Sequence, residues 1–330
     1  MEKTLSIVVP AYNVEKYLQR CLDSMIVEEI LGDIEVLVIN DGSHDRTEEI
    51  AKSYSVRYPE TFFVYTKENG GHGSGINYGI RYAKGKYFKV VDGDDWLNTK
   101  ELAAFVGMLK NRTEDIVASD YLCIEDGSDR VLAEKYATDN KRHYGQRALF
   151  DNGDIEHVIK MHALTIRTDI LKKNRIVIDE HCYYVDCEYI TYPIPFAESI
   201  YYDTHVIYMY RLGRNGQSVD IKSMQRNRMQ HQRVLGSLLK FYEDLPNISE
   251  EKRRYIERAI GQIMENQFQI YISMGLKRGI RQELKDWDRQ LKERYPRIYA
   301  ATKKKSIQWL RRTDYWILGL GSLVYKVVKR

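Results

Sequence analysis

Cysteine is scarce in this chain: Cys21, Cys123, Cys182 and Cys187 are the four among 330 residues. None forms a CxxC and their spacing fits no zinc pattern, which excludes a disulfide scaffold and a cysteine-held zinc domain. They read as ordinary thiols of a reducing compartment. No apolar run reaches the roughly 20 residues that a membrane span needs. The opening MEKTLSIVVPAYN is a strand followed at once by a polar loop, not a signal-peptide core. Net charge is only +4, too little to imply a nucleic-acid partner. No internal repeat and no low-complexity linker interrupts the chain. What the composition does contain is globular: 43% hydrophobic and 30% charged residues, with 26 tyrosines against 8 phenylalanines. Tyrosine joins an apolar body to a polar tip and suits wet clefts and interfaces.

Along the first part of the chain, short β-rich apolar runs alternate with helical spacing. Strands are expected at Leu5 to Val9, Ile34 to Ile39, Phe62 to Tyr65, Tyr87 to Val91 and Ile116 to Ala118. Helices are expected at Val14 to Met25, Thr47 to Tyr58 (closed by Pro59), Ser74 to Ala83 (stopping at Gly85) and Glu101 to Leu109. Such alternation predicts a mostly parallel, doubly wound sheet, whose ligands sit beyond the carboxyl ends of the strands. Further on, Ile200 to Tyr202 and Val206 to Tyr210 read as short strands. Met224 to Tyr242, Lys252 to Tyr271 and Ile280 to Arg294 read as helices. The expected division is 1–218, with halves of about 1–120 and 121–218, followed by a helical region at 219–330.

The strand ends are unusually polar, and they carry the chemistry. Asp92-Gly93-Asp94-Asp95 places three carboxylates in four residues, which repel one another unless a cation or solvent screens them. Hard divalent metals take oxygen ligands and keep open positions for phosphate oxygens. The plainer alternative is a solvated acidic turn that caps the next helix. After the second strand, Asn40-Asp41-Gly42-Ser43 offers Asp41 as an acceptor for a nucleobase imide or a ribose hydroxyl; a turn with a helix cap is the alternative. Asn69-Gly70-Gly71-His72-Gly73-Ser74-Gly75 opens a helix, and its backbone N–H groups can face an anionic or polar ligand. It is neither a P-loop nor a GxGxxG fingerprint.

Pro10-Ala11-Tyr12-Asn13 after the first strand, NDGS after the second, ENGG with a later Asn77 and Gly79, and DGDD after the fourth resemble the family 2 glycosyltransferases. The likeness is close over roughly the first hundred residues and looser to about residue 218. It implies an α/β GT-A fold, with a Rossmann-like mixed sheet, helices on both faces and a C-terminal helical region. It also implies a nucleotide-sugar donor, a UDP-sugar above all, and an inverting transfer of a hexose. The donor would be met by Pro10, Ala11, Tyr12, Asn13, Asp41, Asn69, Gly71, His72 and Asp92. Asp94, with Asp92 and Asp95 nearby, would hold Mn2+ or Mg2+. Many relatives carry an arginine where this chain has Ile76.

An inverting displacement needs a base across the sugar from the metal. The family draws it from a Glu-Asp pair, which Tyr184-Val185-Asp186-Cys187-Glu188 resembles, so Asp186 is the expected base, with Glu188 as runner-up. Val185 replaces the usual acid. Tyr210-Arg211-Leu212-Gly213-Arg214-Asn215 resembles the later basic segment, with Arg211 or Arg214 on the diphosphate. At the C-terminus, Lys303-Lys304-Lys305, Trp309, Arg311, Arg312, Tyr315, Trp316 and the tail Lys326 to Arg330 interleave basic and aromatic residues. That pattern suits an anionic membrane surface, or a helix packed on its own domain or in a homo-oligomer. The acceptor expected is a lipid-linked or protein-linked glycan, in the cytoplasm or at the inner face of the membrane. Two other classes stand beside this reading. One is a non-catalytic sugar-nucleotide scaffold, to which Val185 and Ile76 point. The other is a nucleotidyltransferase, for which PAYN lacks the basic glycine-rich loop.

Overall fold

The computed structural model describes residues 3–139, 141–155, 157–214 and 216–328, and of 324–328 the backbone only. Asn215 of the arginine loop and Lys329 and Arg330 of the basic tail lie outside the described residues. Contacts divide the chain into two units, Met1–Asn215 and Gly216–Arg330.

The first unit begins β1 (Leu5–Ala11), α1 (Glu15–Asp23), β2 (Ile34–Asn40), α2 (Thr47–Arg57), β3 (Phe62–Thr66), α3 (His72–Tyr82) and β4 (Tyr87–Val90). It continues β5 (Trp96–Leu97), α4 (Thr99–Lys110), β6 (Ile116–Glu125), β7 (Val131–Lys135), β8 (Arg147–Leu149), β9 (Leu164–Arg167), α5 (Thr168–Lys173), α6 (Asp186–Thr191) and β10 (Ser199–Leu212). The strands form one sheet in the order β3-β2-β1-β4-β9-β6-β10-β5, with β7 on β6 and β8 on β10. From β3 to β4 all pairing is parallel. Every residue of β1 and β2 is buried, as expected of apolar strands covered on both faces.

The departures from expectation lie beyond β4. There β9, a strand not foreseen, inserts antiparallel between β4 and β6. Its Leu-Thr-Ile-Arg is too short to announce itself by period. Because β9 runs opposite to β4, its N-terminal end arrives at the carboxyl end of β4. The two short strands expected at 200–202 and 206–210 are one strand, β10, which pairs with β6 across register shifts between Tyr202 and Tyr208. The Asp203 carboxylate accepts from the His205 N–H at 3.2 Å within that irregularity.

Glycine spacing in α3 serves close packing. A Cβ at Gly79 would lie 2.4 Å from Val8 Cγ1, and one at Gly75 2.9 Å from Pro10 Cβ, so α3 lies against β1 only with glycine there.

Lys89 sits fully buried in the middle of β4, its Nζ donating to the carbonyls of His162 at 2.8 Å and Leu164 at 3.3 Å. Burial lowers its pKa from 10.5 to about 7. The unfolded state then binds a proton that the native state lacks between about pH 7 and 10.5. Stability therefore rises with pH across that window. Lys89→Met is expected to gain on the wild type most at neutral pH. The difference should shrink by roughly 5 kcal/mol as the pH is raised through the window. Urea denaturation of both proteins at several pH values measures it, and a pH-independent difference would refute it.

The second unit is helical: α7 (Ile221–Arg226), α8 (Arg228–Glu243), α9 (Glu250–Met274), α10 (Ile280–Arg294), α11 (Pro296–Ala301), α12 (Lys305–Arg312) and α13 (Leu318–Val328). The single helix expected at 224–242 is broken at Asn227. The first helix starts earlier because the Asp220 side chain caps it, accepting from the Lys222 and Ser223 N–H groups. Its core gathers Phe268, Tyr271, Leu284, Ile307, Leu310 and Leu318. Arg311 is drawn inward: its Nε and Nη2 grip the buried Asp288 carboxylate at 2.9 and 2.8 Å, which removes it from the basic surface expected there.

Candidate active site

After β4 the chain turns through Asp92-Gly93-Asp94-Asp95 into β5. One carboxylate oxygen from each aspartate lies within 4.8 Å of the others, the one such cluster among the described residues. The three do different work. Asp95 is buried, and both its oxygens are taken: Tyr208 Oη donates at 2.6 Å and the Arg211 N–H at 2.7 Å. Burial pushes its carboxyl well above the usual range, and the charges of Asp94 and Asp92 add to it. Asp94 is raised by burial and by Asp92, against Arg214, whose Nη2 lies 2.8 Å from Asp94 Oδ2. At Asp92 burial also pushes upward, but the charge and hydrogen bond of His72, with His162 and Arg214, hold it below its ordinary value. Asp94 and Asp95, raised by burial and by their acidic neighbours, are short of positive charge, and hard oxygen donors suit Mg2+ or Mn2+. The cluster fits such an ion. Asp92 and Asp94 are partly exposed and could ligate it, whereas Asp95 buttresses the loop.

Asp41 has a different immediate task from the one its motif suggests. Its carboxylate accepts from the Gly70 N–H at 2.9 Å, the Gly71 N–H at 2.7 Å and Ser74 Oγ at 3.2 Å, and pairs with Lys67 Nζ at 2.7 Å. Asn69 Nδ2 donates to the Asp41 carbonyl at 2.9 Å. The anion cradled by the glycine-rich helix start is thus the protein's own Asp41. A Cβ at Gly73 would fall 2.0 Å from the Asp179 carbonyl oxygen. Asn77 binds the same segment, donating from Nδ2 to the Ile178 carbonyl at 2.8 Å and accepting from the Ile178 N–H at 2.8 Å. Loop and helix therefore dock the segment that leads to α6. Lys67 was not foreseen, although its place at the end of β3 is a usable signal.

His72, first residue of α3, lies with Nε2 2.7 Å from Asp92 Oδ1. Burial works to lower its pKa, yet Asp92, then Asp186 and Asp94, raise it above the ordinary 6.5. Asp186 opens α6 and faces the same cluster. Burial raises its carboxyl, His72 draws it down, Asp92 adds to the rise and Lys160 opposes it. The structure thus brings Asp186 to the His72–Asp92 pair. Glu188 is placed otherwise: it is fully buried and its Oε2 accepts from the Asp179 N–H at 2.7 Å. Lys160 and His162 escaped sequence analysis. They precede β9, and only its insertion brings them to the carboxyl end of β4. His162 is half-buried against Tyr208 and Tyr210, and desolvation lowers its pKa to about 4.

The two arginines also separate. Arg211 is 5% exposed; its Nε donates to the Asp94 carbonyl at 2.7 Å, its Nη1 to Asp126 Oδ1 at 2.9 Å, and it stacks on Tyr17 and Trp96. It braces the acidic loop. Arg214 remains partly exposed beside Asp94. Of the first-strand motif, Pro10 and Ala11 are buried while Tyr12 and Asn13 are exposed. Asn13 holds a φ of 51° and is fixed by the Ser43 hydroxyl at 3.1 Å and the His44 N–H at 2.9 Å.

Residues 6–173 match the family model described as Glycosyl transferase family 2. An uncharacterized glycosyltransferase EpsJ of Bacillus subtilis (strain 168) is 34% identical over 149 residues, 42% of this chain and 43% of that protein. The minor teichoic acid biosynthesis protein GgaB of the same organism is 32% identical over 183 residues, 54% of this chain and 19% of that protein. The chain thus spans less than half the length of these curated relatives. Among solved structures, S. aureus TarS 1-349 in complex with UDP-GlcNAc is similar at a TM-score of 0.65 and 18% identity, over 98% of this chain and 91% of that one. Mannosyltransferase PcManGT from Pyrobaculum calidifontis, in complex with GDP-Man and Mn2+, gives a TM-score of 0.53 at 12% identity, over 98% and 88%. At such identities the likeness is one of fold, and the fold is the expected GT-A arrangement with a C-terminal helical region.

Proposed function

This chain belongs to glycosyl transferase family 2, and from that premise we propose that it transfers a hexose from a nucleotide sugar, UDP-glucose or UDP-galactose, to a hydroxyl of a growing glycan, with inversion. The observation that carries the reading is the meeting of Asp92, Asp94, His72 and Asp186 at one edge of the sheet. The acceptor oxygen attacks the anomeric carbon while the bond to the diphosphate breaks, and the diphosphate leaves with the electron pair. Asp186 takes the acceptor proton as the new bond forms. Asp94 and Asp92 would hold Mn2+ or Mg2+, which when bound supplies positive charge to the departing diphosphate. Arg214, beside Asp94, adds charge from the chain itself, and His72, whose pKa its acidic neighbours raise against the pull of burial, stands beside Asp92. Tyr12 and Asn13 line the nucleoside side. Asp41 serves by holding Asn69, Gly70 and Gly71 in place.

The UDP-GlcNAc in TarS and the GDP-Man with Mn2+ in PcManGT are ligands of those proteins, and they support a nucleotide-sugar donor here. GgaB, named for minor teichoic acid biosynthesis, supports a surface polysaccharide as acceptor. The test is nucleotide release from a panel of UDP-, GDP- and dTDP-sugars with Mn2+ and glycan acceptors. Release is expected from the UDP-hexoses. Tight donor binding without release across that panel would overturn catalysis in favour of a sugar-nucleotide-binding scaffold.

A further inference from the structure

The helical unit exposes an apolar patch that its own packing does not require. In the turn between α9 and α10, Leu276 is 56% exposed, and Trp316 is 74% exposed ahead of α13. Leu320 and Leu323, spaced by three on α13, are 65% and 50% exposed. These segments adjoin: a Cβ at Gly319 would lie 3.7 Å from Leu276 Cδ2, and one at Gly275 would meet the Leu318 carbonyl at 2.8 Å. Positive charge lies among them. Lys277 and Arg278 follow Leu276 and are exposed. The Arg281 guanidinium lies 3.7 Å from the centre of the Trp316 ring. The acid in this segment, Asp314, is held by Lys285 Nζ at 2.6 Å and approached by Arg281 at 4.0 Å.

We propose that this patch docks the protein on an anionic phospholipid surface. Exposed tryptophan and leucine rimmed by cations is the chemistry that a headgroup layer accepts, with rings and methyls at the acyl boundary and charges on the phosphates. The contact is peripheral, since among the described residues no helix is long and apolar enough to cross a membrane. A second copy is the poorer occupant. A two-fold contact would face this patch, cations included, with its own copy, and Asp314 is already paired with Lys285.

The 330-residue chain is sedimented with vesicles of phosphatidylcholine alone and of phosphatidylcholine with phosphatidylglycerol. Binding is expected only to the second, weakening at high salt. K277E/R278E should weaken it more than tenfold, and W316S/L320S should weaken it at every salt concentration. Melting curves establish that the variants are folded. Should W316S/L320S fail that control, K277E/R278E, changed in an exposed turn, carries the test. Absence of binding, equal binding to both vesicles, or full binding by K277E/R278E overturns the proposal. So does a dimer in vesicle-free solution that W316S/L320S dissolves, which would assign the patch to a second copy. The assay needs neither donor nor acceptor, so its outcome is separate from that of the transfer reaction.

Discussion

Asp186→Asn is expected to lower turnover by about a hundredfold to ten-thousandfold, the usual worth of a general base, while the donor KM and the melting temperature change little. The amide keeps the shape of the side chain and loses the ability to take a proton. Two carboxylates that could stand in for it are engaged: Glu188 is buried on the Asp179 N–H, and Asp92 is paired with His72. Burial, with the charge of Asp92, raises the Asp186 carboxyl above its ordinary value of 3.8, against the pull of His72 and Lys160. The wild-type kcat/KM should therefore fall as pH drops through a limb lying above that value, because the protonated acid cannot accept the acceptor's proton. In the variant the limb should vanish. If Asp186 served only as a first-turn acid of α6, its loss would cost about 0.3 to 1 kcal/mol of stability and leave turnover intact. A variant with near-normal kcat and a lowered melting temperature would settle matters against the base.

The second large effect falls on Asp94. Asp94→Ala, or removal of divalent metal by EDTA, is expected to reduce nucleotide release by about a thousandfold, in line with losing a principal stabiliser of leaving-group charge. The same change should not destabilise the metal-free protein. Burial and the Asp92 charge raise the Asp94 carboxyl. Its ionised form is then a cost that the native state bears above its raised pKa, and removing it relieves that cost. The two effects separate in one thermal experiment. Mn2+ at a hundredfold over its Kd should stabilise the wild type by about 2.7 kcal/mol and leave Asp94→Ala unmoved. Full turnover in EDTA, or equal stabilisation of both proteins, would remove Asp94 from the metal site.

How far the site was legible in the sequence depends on how local each signal is. DGDD, NDGS and PAYN each lie within a few residues of a strand whose apolar run is plain, so their arrival at one sheet edge follows from alternation alone. What each side chain binds there is a different matter. Asp41 turns its carboxylate to Gly70 and Gly71, nearly thirty residues on in sequence, because β2 and β3 are paired neighbours. Arg211 turns inward because the end of β10 runs antiparallel to β5, which sets it against Asp94 and Asp95. Glu188 looked as available as Asp186, and the helix that carries both buries one and leaves the other partly exposed.

The sequence by itself determined the parallel half of the sheet, the polar strand ends and the acidic cluster, since those rest on period, turn chemistry and the nearness of residues along the chain. Only the tertiary structure decided that β9 enters antiparallel beside β4, bringing Lys160 and His162 to the acids, and that Asp186 meets His72 and Asp92. It also decided which basic residues of the C-terminal region are spent internally, as Arg311 is on Asp288, and which stay outside. The physical reason is common to all of these. Strand order and helix packing are settled by burial summed over many distant residues, and no short window of the chain contains that sum.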